Sequence, residues 1–340
     1  MTERETLIRT FLIGAGWGDA ARAPLAGDAS PRRYERLQSA TGVTAVLMDA
    51  APELGQDVGP FLTIAAHLAG LGLSAPRVLA ADAALGLLVL EDLGDALFAR
   101  VTKARPDLEI RLYSSAIDVL IALFPHQPPK GLLDLDPIRM AEIARLAVDW
   151  YVPGITGKTC DRAGDFDGVM AECARDLVTG PQVLMLRDYH AENLIWLPDR
   201  NGPAAVGLLD FQDAMAAHPA YDLVSILQDA RRDVPEALEA AMVARYCTAT
   251  GQDATQFAAV YALMGAQRSL RILGIFARLS MHFAKPGYVD LIPRVWRHLN
   301  RNLAQPALAP LAALCQRLLP APTSAGLQRI KDKCGTSPTP

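Results

Sequence analysis

An apolar run from Val183 to Leu186 delivers Arg187-Asp188 to a loop, and Asn193 follows five residues beyond Asp188. A second apolar run, Ala204 to Leu209, then presents Asp210-Phe211-Gln212. Asp-x4-Asn alone recurs by chance as a solvated loop with a capping Asn. Its pairing with Asp210-Phe211, seventeen residues after Asn193 and at the end of its own strand-like run, is far more restrictive. The layout suits phosphoryl transfer from ATP: Asp188 accepts the proton of an acceptor hydroxyl, while Asn193 and Asp210 hold Mg2+ on the phosphates.

The rest of the chain accommodates such a site. With 340 residues it can bury a large core in two lobes, and an apolar content of 51% excludes general disorder. No apolar run approaches the ~18–20 residues of a membrane span. Glu3 and Glu5 stand where a signal peptide would carry basic residues, so no leader is expected. The five cysteines, Cys160, Cys173, Cys247, Cys315 and Cys334, are scattered and follow no metal-ligand spacing. They point to a reducing, cytoplasmic setting. A net charge of −4 gives no general reason to expect nucleic acid, and no obligate protein partner is evident. An anionic substrate would have to be met by a local cluster of arginines.

Hydrophobic periodicity divides the chain. An opening helix over 4–15 precedes candidate strands at 33–40 and 43–50, joined at Thr41-Gly42. Phe61, Ile64, Ala65, Leu68 and Leu71 form one face of a helix over 58–71. Two more strands, 76–81 and 86–90, lead into Glu91-Asp92-Leu93-Gly94, which breaks the pattern. Beyond that break the pattern is mostly helical: 108–124, then 136–150 with Asp136 as N-cap and Pro137 at N1. After the catalytic strands, helices are expected at 221–230, 235–250, 255–283 and 287–303. This order predicts an α+β, protein-kinase-like two-lobe fold. A β-rich nucleotide-binding lobe covers 1–92, a helical catalytic and substrate-binding lobe covers 93–318, and a flexible tail covers 319–340. Glu91 and Leu93 would form the connector whose backbone groups can bind adenine.

Taken with His218-Pro219-Ala220-Tyr221-Asp222-Leu223, the motif resembles the aminoglycoside phosphotransferase/choline-kinase superfamily. The likeness is closer to the cytoplasmic sugar kinases of peptidoglycan recycling, which phosphorylate the anomeric hydroxyl of N-acetylmuramate and N-acetylglucosamine. The segments Gly27–Tyr34, Val46–Glu53, Leu90–Gly94, Leu227–Asp233 and Arg271–Leu279 carry it, and it covers about residues 5–315. The resemblance implies ATP and Mg2+, Asp188 as base, Asn193 and Asp210 as metal ligands, and a structural role for Asp222. His190 sits where the superfamily also has His, to position the base or the loop.

Two departures stand out. The third strand carries Met48 where many superfamily members have a phosphate-binding lysine, and the helix over 58–71 has no Glu to pair with one. The nucleotide loop holds a single glycine, Gly27. Either the chain no longer transfers phosphate, or Ser30, Arg32 and Arg33 neutralise the phosphates instead, since a guanidinium can bind phosphate in bidentate fashion. For the sugar, a C1 hemiacetal hydroxyl is more acidic than an ordinary alcohol and suits a carboxylate base. The lactyl carboxylate of N-acetylmuramate would need arginines, and Arg231, Arg232, Arg268, Arg271 and Arg278 are the candidates. Trp150, Tyr151 and Trp196 are possible sugar-stacking residues. Kinases of cationic alcohols such as aminoglycosides or choline, and a non-catalytic nucleotide-binding protein, are the alternatives.

Overall fold

The computed structural model describes residues 2–25, 32–159 and 163–337. Two compact units emerge: residues up to Val119 together with Ala191–Ala214, and Leu120–His190 together with the residues from Met215 onward.

In the first unit, α1 (Glu3–Gly14) is capped by the Thr2 side chain and precedes a five-stranded antiparallel sheet. Its strands are β1 (Ala21–Pro24), β2 (Arg33–Gln38), β3 (Thr44–Asp49), β4 (Val78–Asp82) and β5 (Leu87–Glu91), in the order β1-β2-β3-β5-β4. Strand alternation sorts the side chains onto two faces. Leu37, Ala45, Leu47, Leu87 and Val89 form one core with Ile8 and Leu12 of α1. Met48, fully buried, points to the other face together with its cross-strand partners Tyr34 and Leu88. The expected turn lies at Gly42, whose φ of 84° is the left-handed conformation a tight hairpin needs. Helix α2 (Gly59–Gly70) buries Phe61, Ile64, Ala65 and Leu68; Leu71 falls just outside as its C-cap.

Helices α3 (Phe98–Ala104) and α4 (Glu109–Leu123) follow. In the second unit α5 (Pro137–Ala144) starts at the Asp136 cap, as its sequence implies. It does not run on to Trp150: a π-helical stretch, Ala147–Tyr151, intervenes before α6 (Val152–Thr156) and α7 (Ala163–Leu177). Four short strands then form two separate ladders. β6 (Val183–Met185) pairs with β9 (Met215–Ala217) in the second unit, and β7 (Leu194–Trp196) pairs with β8 (Val206–Leu208) in the first. The chain ends in α8 (Ala220–Leu227), α9 (Glu236–Thr250), α10 (Ala254–Met281), α11 (Ile292–Leu303), α12 (Ala309–Leu318) and α13 (Ser324–Asp332).

The 28-residue α10 is buried on nearly every side, so it forms the axis of the second unit. Close approach is allowed by Gly274: a Cβ there would lie 2.2 Å from the Leu146 backbone. Asn302 of α11 similarly occupies the space beside Gly265. Asn302 donates to Gln228 at 2.8 Å, and Gln228 donates to Glu239 at 3.0 Å. Glu239 also accepts from Tyr261 at 2.8 Å and from Arg301 at 2.6 Å. This buried network fixes the turn that follows α8.

The first unit does not end at residue 92: residues 93–119 belong to it, with an isolated bridge from Leu97 to Ile195 of β7. Nor are residues 319–337 a tail without structure, because Thr323 caps α13 and Ile330 is fully buried against Gly154. Among the described residues no helix is long and apolar enough to cross a membrane.

Candidate active site

In the second unit β6 ends at Met185, and Leu186 leads into the loop. Arg187 adopts φ 71°, a left-handed conformation that costs a non-glycine residue about 1–2 kcal/mol. The loop is held in it from below. The buried Asp222 carboxylate of α8 accepts the backbone N–H groups of Leu186 and Arg187, the latter at 2.9 Å. Burial pushes Asp222 up to about 7, partly offset by those two N–H groups. Asp188 follows at once, its side chain 30% exposed. Burial would raise its pKa, but the guanidinium of Arg271, and then His190, Arg187 and Arg268, outweigh that and hold it below the ordinary carboxylate value. A carboxylate so placed remains ionised and able to accept a proton at neutral pH.

Of the arginines predicted for the substrate, Arg271 and Arg268 act on this carboxylate. Arg271 lies 3.7 Å from Asp188 and also donates to the Tyr221 hydroxyl at 3.2 Å. Arg268, one turn earlier on α10, donates to the Gln228 carbonyl at 3.5 Å. Arg231 contacts His190 Nε2 at 3.2 Å, and its own N–H is held by Asp229 at 2.8 Å. Burial lowers His190 to about 4, so its ring is neutral. Asp229, only 1% exposed, was not singled out from the sequence. The signal available was Asp229-x-Arg231, the spacing at which an aspartate side chain caps a turn. Trp150 and Tyr151 are core residues: Tyr151 stacks on Trp296 and donates to the Pro320 carbonyl at 2.7 Å.

A second cluster lies in the first unit. Asn193 immediately precedes β7, and Leu209 after β8 donates its N–H to the Asn193 carbonyl at 3.0 Å. Asp210 then takes φ 58° and is exposed. Gln212 donates to one of its carboxylate oxygens at 2.8 Å, and the Asn193 amide lies 3.5 Å from the other. Phe211 anchors the turn, fully buried and stacked on Phe61 at 4.9 Å. One carboxylate and one amide, rather than a closed acidic cage, form an oxygen donor set suited to Mg2+, which keeps waters and shares substrate phosphates. Among the described residues no group of three acidic, His or Cys side chains could hold a metal elsewhere.

The candidate phosphate-binding residues separate. Ser30 lies outside the described residues. Arg33 sits opposite Asp49 in the β2–β3 register and pairs with it, as does Arg4 of α1, so its charge is committed on the α1 side of the sheet. Arg32 interacts instead with Tyr34, on the Met48 face, and the charge of Asp210 acts on the same phenol. Burial and Asp210 together push that phenol up to about 12. At the end of β5, Glu91 is engaged by Arg200 at 2.7 Å and Arg77 at 3.2 Å, and Leu93 just beyond is buried. Arg36 grips Asp92 and Asp95 just beyond.

The sequence profile of the phosphotransferase enzyme family (APH) matches residues 22–260. The chain is 41% identical over 360 aligned positions to the N-acetylmuramate/N-acetylglucosamine kinase of Caulobacter vibrioides, covering 95% of this chain and 98% of that protein. It is 33% identical to the kinase of the same name from Pseudomonas aeruginosa, with 92% and 94% covered. A choline kinase structure from Streptococcus pneumoniae superposes with a TM-score of 0.61 at 14% identity, covering 88% of this chain and all of that one. At that identity the likeness establishes the two-lobe kinase-like fold alone.

Proposed function

Because the chain belongs to the phosphotransferase enzyme family, we propose that it transfers the γ-phosphoryl group of ATP to the anomeric hydroxyl of N-acetylmuramate or N-acetylglucosamine. It would do so in the cytoplasm, in the recycling of peptidoglycan sugars. The observation that carries this reading is 41% and 33% identity, over nearly the whole chain, to two kinases named for those sugars, combined with the arginines that act on Asp188.

Asp188 accepts the proton of the acceptor hydroxyl, and its arginine neighbours keep it ionised for that task. Asn193 and Asp210 would hold Mg2+, which when bound neutralises phosphate charge. The chain runs from the base to the first of these ligands in five residues. The surplus of arginine in the second unit favours a neutral or anionic sugar over a cationic aminoglycoside or choline. ATP consumption measured across both N-acetyl sugars, choline and an aminoglycoside tests this. Brisk turnover is expected with the two sugars alone; preference for either cation would move the chain to another branch of the family.

The buried Met48 favours the non-catalytic alternative, and Arg32 is the residue that answers it. Arg32→Ala is expected to raise the KM for ATP or lower turnover at least tenfold, since a charge-assisted hydrogen bond is worth about 1.5–3 kcal/mol. Arg33→Ala should change ATP kinetics far less, because Asp49 already holds that guanidinium. Equal effects would remove the assignment of Arg32. Steady-state kinetics with varied ATP separates the cases.

A further inference from the structure

Three polar atoms of residues that act on one another, His190 Nδ1, Asp229 Oδ2 and Arg268 Nε, are buried without a hydrogen-bond partner among the described residues, and His190 and Arg268 also act on Asp188. Their residues are 5%, 1% and 4% exposed. Folded proteins pair such atoms with protein, water or ligand, so three of them gathered next to the base are groups that a bound substrate can satisfy. None of the three side chains is loose. His190 Nε2 faces Arg231 at 3.2 Å, Asp229 Oδ1 accepts the Arg231 N–H at 2.8 Å, and Arg268 donates through Nη1 to the Gln228 carbonyl. The buried network of Gln228, Asn302 and Glu239 holds that turn in place.

The tautomer of His190 follows from its neighbour. A guanidinium can only donate, so Nε2 accepts and Nδ1 carries the proton. The cluster therefore offers two donors, His190 Nδ1–H and Arg268 Nε–H, and one acceptor, Asp229 Oδ2. A carboxylate would satisfy the donors but oppose Asp229. A secondary amide fits all three, because its carbonyl accepts and its N–H donates.

Resting on the kinase reading above, we propose that this cluster binds the 2-acetamido group of the sugar. Its position agrees with the connectivity of the substrate. His190 is two residues from the base, and Arg268 is one turn from Arg271, which lies 3.7 Å from Asp188. When C1–OH faces Asp188, the substituent on the adjacent carbon is the 2-acetamido group; the lactyl ether of N-acetylmuramate hangs from C3, one carbon farther. The group bound here is the one the two sugars share, so a single site accepts both.

The test compares kcat/KM for N-acetylglucosamine, N-acetylmuramate and glucose in wild type, Asp229→Asn and Arg268→Lys. Each variant is expected to lower the ratio of N-acetylglucosamine to glucose at least tenfold, mainly through KM, and to weaken both N-acetyl sugars by a similar factor. His190→Asn, which keeps a donor near Nδ1, should retain more of the preference than His190→Ala. Equal losses for all three sugars would make the cluster structural, and loss confined to N-acetylmuramate would assign it to the lactyl carboxylate. Either outcome overturns the proposal while leaving the kinase reading standing. A wild-type protein inert toward both N-acetyl sugars would overturn that reading, and this inference with it.

Discussion

Asp188→Asn is expected to lower turnover roughly 10²–10⁴-fold, the usual worth of a positioned general base. The amide matches the carboxylate in shape but cannot take up the hydroxyl proton. The loop should survive the change, because its left-handed turn at Arg187 is fixed by Asp222 and not by Asp188. ATP affinity and thermal stability should therefore remain near wild type while kcat collapses. Single-turnover kinetics, which isolates the chemical step, makes the comparison cleanest. A variant with near-normal turnover would place the base elsewhere.

Asp210→Ala should abolish activity and remove the magnesium dependence of ATP binding. Asp210 supplies the charge of its cluster, and Gln212 and Asn193 are both arranged around it. Alanine also removes the short polar side chain that tolerates the φ of 58° at this position. Asp210→Asn controls for that strain: it keeps the turn, loses the charge, and should still lose most of its magnesium-dependent activity. Titration of ATP binding against magnesium decides the matter. An unchanged magnesium dependence in Asp210→Asn would show that the metal is held by other groups.

Much of this architecture was legible in the chain because local signals agreed with the fold. The Asp136-Pro137 start, the Thr41-Gly42 turn and the apolar face of α2 each lie within a residue or two of where periodicity and capping put them. What escaped depended on partners distant in sequence. Strand β1 is four residues with no alternation, and it exists because β2 pairs with it. Helix α13 begins among Pro, Thr and Ser, yet Ile330 finds a fully buried site against Gly154, so packing overrides composition. The boundary expected at residue 92 moved because the β7–β8 hairpin returns to the first unit and Leu97 bridges to it.

The candidate site divides in the same way. Asp188, Asn193 and Asp210 stand out from spacing alone, and Arg231, Arg268 and Arg271 from helical recurrence and the family likeness. Arg32 and Arg33 are adjacent in sequence and could not be told apart without the strand register, which commits Arg33 to Asp49. Asp229 reads as an ordinary turn residue until its burial is seen.

If the acceptor is the C1 hydroxyl, phosphorus NMR of the product formed from N-acetylglucosamine reveals it at once. A phosphate resonance coupled to the anomeric proton is expected, and no product from the 1-O-methyl glycoside, in which every other hydroxyl remains available. Phosphate at C6, or turnover of the methyl glycoside, would contradict a C1 acceptor.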